Sequence, residues 1–86
     1  MKDKKILLNN LEKVHTTKMG VDRIKRNLKL DVEDVVRYCV DIIKDNNCKI
    51  TKRGKNWYIN NSDCIITVNA FSYTIITAHK VKKQNK

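Results

Sequence analysis

Several residue types are scarce in this sequence, and each scarcity excludes a class of protein. There is no proline and there are only two glycines in 86 residues, so most of the chain should lie in regular elements. No apolar run approaches the roughly 20 residues of a membrane span. The run Ile6–Leu8 is too short for a signal-peptide core. We therefore expect a single domain over residues 1–86 that stays in the cytoplasm.

The three cysteines are scattered and form no CxxC pair. We expect Cys39, Cys48 and Cys64 to be reduced, partly buried thiols, because neither a zinc ribbon nor a redox motif has this spacing. The spacing also does not support a metal site joining them to His15 and His79. Neither a metal nor an organic cofactor is expected. The chain lacks a P-loop, a GxGxxG motif and a serine nucleophile elbow as well.

Acidic residues are concentrated in one segment, and the net charge is +10. Residues 1–30 carry nine Lys and Arg against three acids, residues 31–45 carry two against five, and residues 46–86 carry eight against Asp63 alone. The two basic blocks predict a phosphate-binding face, with the acidic helix turned away. The charge favours a polyanionic partner or an acidic protein, although solubility alone is the plainer explanation.

Apolar residues at helical spacing predict two helices before residue 30. The apolar stripe of the first, over residues 3–14, comprises Leu7, Leu11 and Val14, widened by Ile6 and Leu8. Thr16 or Thr17 can cap the second, because a hydroxyl accepts a hydrogen bond from a free first-turn amide. The apolar face of the second helix comprises Val21, Ile24 and Leu28.

A third helix is predicted after residue 30. Asp31 is the expected cap, and Glu33 and Asp34 would lie in the first turn, where the helix dipole favours negative charge. Its broad apolar stripe comprises Val32, Val35, Val36, Cys39, Val40 and Ile43. Asn46 and Asn47 are expected to end it.

From Cys48 onward the apolar period changes to two. Strands are predicted at 48–53, 55–60, 64–69 and 73–79. The short connections force neighbouring strands to pair antiparallel as a meander. The helical part (3–46) and the sheet (48–79) therefore predict an α+β domain. Two or three helices pack on one face of a four-stranded antiparallel sheet, and residues 80–86 form a basic tail.

The predicted sheet has one apolar face and one polar face. The face packed on the helices comprises Trp57, Ile59, Ile66, Val68, Ile76 and Ala78. The other comprises Tyr58, Ile65, Thr67, Asn69, Tyr73, Ile75, Thr77 and His79. An ordinary solvent-facing sheet would carry more Lys and Glu, whereas aromatic, hydroxyl and imidazole groups beside basic turns suit stacking of bases and binding of phosphate.

Cleavage of RNA without a metal needs two proton-transfer groups and cations at the phosphate. His15 and His79 suit the proton transfers, because the histidine pKa lies near neutrality. The candidate cations are Arg23, Arg26, Lys55 and Lys80, and Thr77 or Tyr58 could position a phosphate oxygen. Plainer roles compete with these: a helix cap or surface residue for the histidines, core for Trp57, and strand propensity for the threonines. No carboxylate pair lies on the polar face, which argues against two-metal chemistry.

Three stretches of the chain are more specific than any single residue. They are HTTKMGVDRIKRNL at 15–28, GKNWYI at 54–59 and CIITVNAFSYTIITAHK at 64–80, and together they cover 37 of the 86 residues. These motifs resemble a family of short bacterial proteins classed as a domain of unknown function. That resemblance implies no activity.

The order of the elements, with a histidine near the early helices and a threonine-rich last strand, is similar to the barnase–EndoU–colicin–RelE group of metal-independent RNases. Many members of that group are toxins that an immunity protein or antitoxin neutralises. This resemblance implies catalytic roles for His15, Arg23, Lys55 and Thr77. His79 has no fixed counterpart in the group.

The first hypothesis is therefore a nucleic-acid-binding protein that acts as a metal-independent endoribonuclease of the toxin type. The candidate catalytic residues are His15, Arg23, Lys55, Thr77 and His79. The candidate nucleic-acid-binding residues are Arg26, Tyr58, Thr67, Asn69, Tyr73 and Lys80. The alternative is a non-catalytic basic module: an RNA- or DNA-binding regulator, or a phage-type inhibitor of a nucleic-acid machine. A third hypothesis is docking of an acidic protein, such as an antitoxin or immunity protein.

Overall fold

A computed structural model describes residues 2–29, 32–45, 47–61 and 64–80. Helices and strands follow in the order α1 (Lys2–Asn9), α2 (Lys18–Leu28), α3 (Val35–Lys44), β1 (Lys49–Arg53), β2 (Asn56–Asn60), β3 (Cys64–Asn69) and β4 (Ile75–Lys80). The strands form one antiparallel sheet in the order β1-β2-β3-β4. The predicted α+β arrangement, N-terminal helices followed by a four-stranded meander, is confirmed. No helix among the described residues is long and apolar enough to span a membrane.

The first helix is shorter than the predicted span of 3–14. It ends at Asn9, and a short 3-10 helix follows at Leu11–Lys13. The side-chain amide of Asn10 donates to the carbonyl of Ile6 at 2.7 Å, and such local bonding by asparagine competes with helix continuation. Ile6 is 47% exposed, so the prediction that it widens the apolar stripe is wrong.

The second helix is capped as predicted and is tied to the sheet. The Thr17 hydroxyl accepts from the amide of Gly20 at 3.0 Å, which satisfies a first-turn donor. The neighbouring Thr16 hydroxyl donates to the carbonyl of Ile75 at 3.0 Å. A Cβ atom at Gly20 would overlap Oγ1 of Thr16, so glycine is what lets the first turn of α2 approach this hydroxyl.

The third helix begins later than predicted. Asp34 is its N-cap, with a side chain that accepts from the amide of Arg37 at 2.9 Å. Glu33 and Asp34 therefore precede the helix rather than lie in its first turn. The predicted cap, Asp31, lies outside the described residues.

The core lies between the helices and one face of the sheet, which we call the inner face. The three cysteines are buried thiols, and burial, followed by the proximity of Cys64, raises the pKa of Cys39 to about 12. Core residues from the helices are Leu7, Val14, Ile24, Leu28, Val35, Cys39 and Ile43; those from the sheet include Trp57, Ile59, Cys64, Ile66, Val68, Ile75 and Ala78.

A β-bulge in β4 reverses two predicted orientations. Thr67 pairs with Thr77, but the next residue of β3, Val68, pairs with Ile75, so Ile76 is an extra residue. A bulge changes which side chains face the core. Ile75 is accordingly 1% exposed and Ile76 is 40% exposed, the opposite of the prediction.

Candidate nucleic-acid interface

The second face of the sheet, which we call the outer face, points away from the helices and carries polar residues. Cross-strand pairing arranges them in three rows. The row nearest the turns contains Arg53, Asn56 and Asn69; the middle row contains Thr51, Tyr58, Thr67 and Thr77; the last contains Lys49, Asn60, Ile65 and His79. The middle row crosses all four strands, which is the polar and aromatic stripe expected from the sequence.

Tyr58 lies at the centre of the outer face and is half-buried. The guanidinium carbon of Arg53 is 5.8 Å from the centroid of its ring, within the range of a cation–π contact. The side-chain amide of Asn56 donates to the Tyr58 hydroxyl at 3.4 Å. Arg53 therefore lies over the Tyr58 ring, and Asn56 contacts its hydroxyl group. Thr67, beside it, is only 7% exposed, so its hydroxyl is largely covered.

The charge around the outer face has one sign. Residues 47–61 and 64–80 contain no Asp or Glu, and their cations are Lys49, Lys52, Arg53, Lys55 and Lys80. The described acids of the middle block, Glu33, Asp34, Asp41 and Asp45, lie on or beside α3, in the helical layer. An anion approaching the outer face therefore meets cations without competing carboxylates.

His15 is part of the sheet and does not cap α2. Its backbone amide donates to the Tyr73 carbonyl at 3.0 Å, and its carbonyl accepts from the Ile75 amide at 2.7 Å. These bonds form a parallel bridge between His15 and Thr74. His15 thus adds a single bridge on the β4 side of the sheet, at the residue that precedes β4.

The His15 ring begins a chain of hydrogen bonds. Its Nδ1 lies 2.9 Å from the Lys13 carbonyl, and its Nε2 lies 3.1 Å from the Thr74 hydroxyl. The Thr74 hydroxyl is 2.8 Å from that of Ser72, which in turn is 3.1 Å from Oδ1 of Asn69. The side chain of Asn69 thereby connects the outer face to His15.

The described partners assign a donor at each end of this chain. A carbonyl only accepts, so Nδ1 of His15 donates to Lys13. At the other end the Ser72 hydroxyl donates to Oδ1 of Asn69, and either hydroxyl can donate between Ser72 and Thr74. The chain therefore links Nε2 of His15 to Asn69 through two hydroxyl groups.

The structure separates the two candidate histidines. His15 pairs with Thr74, which lies opposite Asn69. His79 lies opposite Ile65, which is four residues from Asn69 and therefore roughly 13 Å along the sheet at the usual rise per residue. The carbonyl of Lys55 accepts from the Ala70 amide at 2.7 Å. That bond places Lys55 in the β1–β2 turn against the β3–β4 turn, at the same end of the sheet as His15. We call this region the turn end.

Other sequence-predicted residues are dispersed. Arg23 and Arg26 are exposed on α2, in the helical layer. Thr77 is half-buried in the middle row. Tyr73 was predicted on the outer face, but it packs on the inner side, with its ring centroid 5.4 Å from that of the core residue Trp57. The bulge in β4 accounts for this position, since residues before it take the opposite side.

Lys80 is exposed at the far end of the sheet, away from the turns. There it lines a cavity of about 410 Å³ whose other walls include Asp41 and Asp45. Two carboxylates disfavour phosphate at this cavity. Among the described residues, no group of three His, Cys, Asp or Glu side chains could hold a metal ion.

Sequence reasoning missed Ser72 and Thr74, which link His15 to Asn69, and it missed the exposed Phe71 that precedes Ser72. The sequence offered one signal, a run of polar turn formers around Asn69. The pairing of His15 with Thr74 joins residues 59 positions apart, and no local pattern contains it.

Fold and charge together define a small α+β protein whose described sheet residues carry cations and no carboxylate, with the acids of residues 32–45 in the opposite, helical layer. The chain belongs to the family DUF3781, described as a protein of unknown function, which matches residues 8–79. The predicted membership of a domain-of-unknown-function family is thereby confirmed. No curated protein and no solved structure gives a significant match. The likeness to metal-independent RNases stays a prediction.

Proposed function

We propose that this protein binds RNA through the outer face of its sheet. The observation that carries the proposal is the middle row of that face. There Tyr58 lies between Thr51 and Thr67 on the neighbouring strands, and the Arg53 guanidinium lies over its ring. Antiparallel sheets that bind single-stranded RNA stack unpaired bases on aromatic side chains in this way. Each stacked base contributes about 1–3 kcal/mol with little dependence on sequence.

The surrounding charges support a nucleic acid over an uncharged ligand. Lys49 and Arg53 project from β1 on this face, and Lys55 lies in the adjoining turn. Phosphates that flank a base stacked on Tyr58 would lie within reach of these side chains. Residues 47–61 and 64–80 include no carboxylate. The described part of the sheet therefore does not repel the phosphates that these cations attract.

Fluorescence anisotropy with a labelled single-stranded RNA of about 12 nucleotides tests this proposal. Tyr58→Ala should weaken binding about tenfold through loss of stacking. Arg53→Gln should weaken binding several-fold, whereas Arg37→Gln, the same charge change on exposed α3, should leave it within about twofold. Equal losses from Arg53→Gln and Arg37→Gln would mean that binding follows net charge and not the outer face.

A second candidate function is metal-independent RNA cleavage, as in toxins of the RNase type. The hydrogen bonds of the His15 ring favour it, because partners at both ring nitrogens hold the ring in place, as acid–base catalysis by a side chain requires. Lys55 at the same end of the sheet supplies a cation for a phosphate. In this role an acidic antitoxin or immunity protein would cover the same basic face.

Single substitutions separate cleavage from binding. Purified protein is incubated with labelled total RNA in EDTA, beside His15→Ala and His79→Ala. Cleavage at the turn end predicts fragments with 2′,3′-cyclic phosphate ends from the wild type and from His79→Ala, and none from His15→Ala. RNA that stays intact with the wild type removes the catalytic candidate and leaves the binding proposal standing. Growth arrest on expression should follow the same pattern.

A further inference from the structure

The β3–β4 turn presents a bare aromatic ring to solvent. Phe71 is 75% exposed, so its ring contributes little to the core. The two neighbouring aromatic residues are used differently: Trp57 is 1% exposed, and Tyr73 packs against it. The exposed Phe71 ring is therefore open to contact by a ligand.

The backbone beneath Phe71 is fixed. Oδ1 of Asn69 accepts from the amides of Phe71 and Ser72, both at 2.9 Å. The carbonyl of Asn69 accepts from the amide of Tyr73, also at 2.9 Å, and Tyr73 has a φ of 60°. The backbone N–H groups of three consecutive residues thus donate hydrogen bonds to one asparagine, and these bonds hold the turn in a single shape. The backbone at Phe71 is therefore preorganised, which lowers the entropy cost of a contact made by the Phe71 ring.

Cationic residues border the turn that carries this ring. The Lys55 carbonyl accepts from the amide of Ala70, the residue before Phe71, so the β1–β2 turn lies against the β3–β4 turn. The row Arg53–Asn56–Asn69 leads from β1 to the base of the turn. An exposed ring at the end of a row that starts with an arginine, beside a turn that contains a lysine, fits an unpaired base whose neighbouring phosphates meet cations.

We infer that Phe71 is a second stacking subsite, which takes an unpaired nucleobase of the strand bound on the outer face. The inference rests on the proposed function, since the subsite extends the strand's path from Tyr58 to the turn end. An unpaired base is required, because bases in a duplex do not expose their faces. The preferred ligand is therefore single-stranded RNA, or a loop, over a duplex of the same sequence.

Substitutions of Phe71 test the subsite without disturbing the fold. Phe71→Leu keeps apolar area and removes the π face, and Phe71→Trp enlarges that face. Anisotropy with a single-stranded RNA of about 12 nucleotides should show affinity at least about fivefold lower for Phe71→Leu and unchanged or higher for Phe71→Trp. An equal melting temperature of the free proteins shows that both variants fold. A duplex of the same sequence should bind wild type and Phe71→Leu alike.

Other outcomes separate this inference from the proposed function. If Tyr58→Ala weakens binding and Phe71→Leu does not, the RNA interface stands and the subsite is overturned. If the wild type fails to bind single-stranded RNA at about 50 mM salt, both are overturned. Vesicles of phosphatidylcholine and phosphatidylglycerol provide the remaining arm. Loss of vesicle binding in Phe71→Leu with unchanged RNA binding would assign the ring to a membrane surface and overturn the subsite.

Discussion

At the residue scale, Gly20 and Thr16 show how single atoms join a helix to the sheet. The Thr16 hydroxyl donates to the Ile75 carbonyl at 3.0 Å, and the first turn of α2 passes directly over it. A Cβ atom at residue 20 would overlap that hydroxyl and would lie 3.3 Å from Oγ1 of Thr17. Glycine is otherwise a poor helix former, at a cost of about 1 kcal/mol relative to alanine. The close approach explains its presence.

We predict that Gly20→Ala lowers the free energy of unfolding by about 1–2 kcal/mol, because Thr16 must rotate away and lose its bond to β4. In a Thr16→Ala background the overlap disappears. There the same Gly20→Ala change should be neutral or stabilising by up to about 1 kcal/mol. Urea unfolding of the four proteins of this cycle measures the coupling. Equal effects in both backgrounds would contradict the assignment of the contact.

His15 illustrates a second kind of residue-scale dependence. Its position after the first helical segment predicted either a cap or a catalytic base. The structure gives the capping role to Thr17 and engages both ring nitrogens of His15. The orientation of the His15 ring is therefore fixed by its partners, the Lys13 carbonyl and the Thr74 hydroxyl. Substitution of His15 tests its role in the proposed RNA cleavage.

At the scale of elements, β4 departs most from the regular pattern. Period-two alternation through residues 73–79 placed Ile76 in the core and Ile75 on the outer face. The bulge opposite Thr67 and Val68 moves Ile75 inward and leaves Thr77 and His79 on the outer face. The sequence offers isoleucine at both positions, so local hydropathy could not distinguish them.

Adjacent substitutions in β4 test the bulge. Ile75→Thr should lower the free energy of unfolding by about 2–4 kcal/mol, since it removes buried apolar volume and buries a hydroxyl. Ile76→Thr keeps the branched Cβ at an exposed site and should change it by no more than about 0.5 kcal/mol. Urea denaturation of both variants gives the comparison. The reverse order of the two effects would restore the regular alternation that the sequence suggested.

At the scale of the whole molecule, the distribution of charge matters more than its total. The net charge of +10 is divided between a sheet without described carboxylates and a helical layer with four acids on or beside α3: Glu33, Asp34, Asp41 and Asp45. The described part of the sheet carries five cations, Lys49, Lys52, Arg53, Lys55 and Lys80. Only those on the outer face and in the adjoining turn can contact a strand bound there.

This division predicts a modest salt dependence of RNA binding. If Lys49, Arg53 and Lys55 each neutralise one phosphate of a single strand, log K should fall against log salt with a slope of about −2. Lys55→Gln should make that slope shallower by about 0.7, and Lys44→Gln, the same change on α3, should not alter it. Anisotropy titrations over several salt concentrations provide the slopes. Equal slopes for the two variants would place the contacts elsewhere.

The sequence by itself determined the class of fold. Backbone geometry sets a period of about 3.6 residues in a helix and two in a strand, and the spacing of apolar residues shows both periods. The sequence also determined a threonine cap at residue 16 or 17, the apolar stripe of α3 and the meander, all of which depend on neighbours within a few positions. Tertiary structure decided the rest. The bulge in β4, the bond between Thr16 and Ile75, the His15–Thr74 pairing and the separation of His15 from His79 depend on how distant segments pack. Local propensity carries no information about such contacts, and the candidate site is built from them.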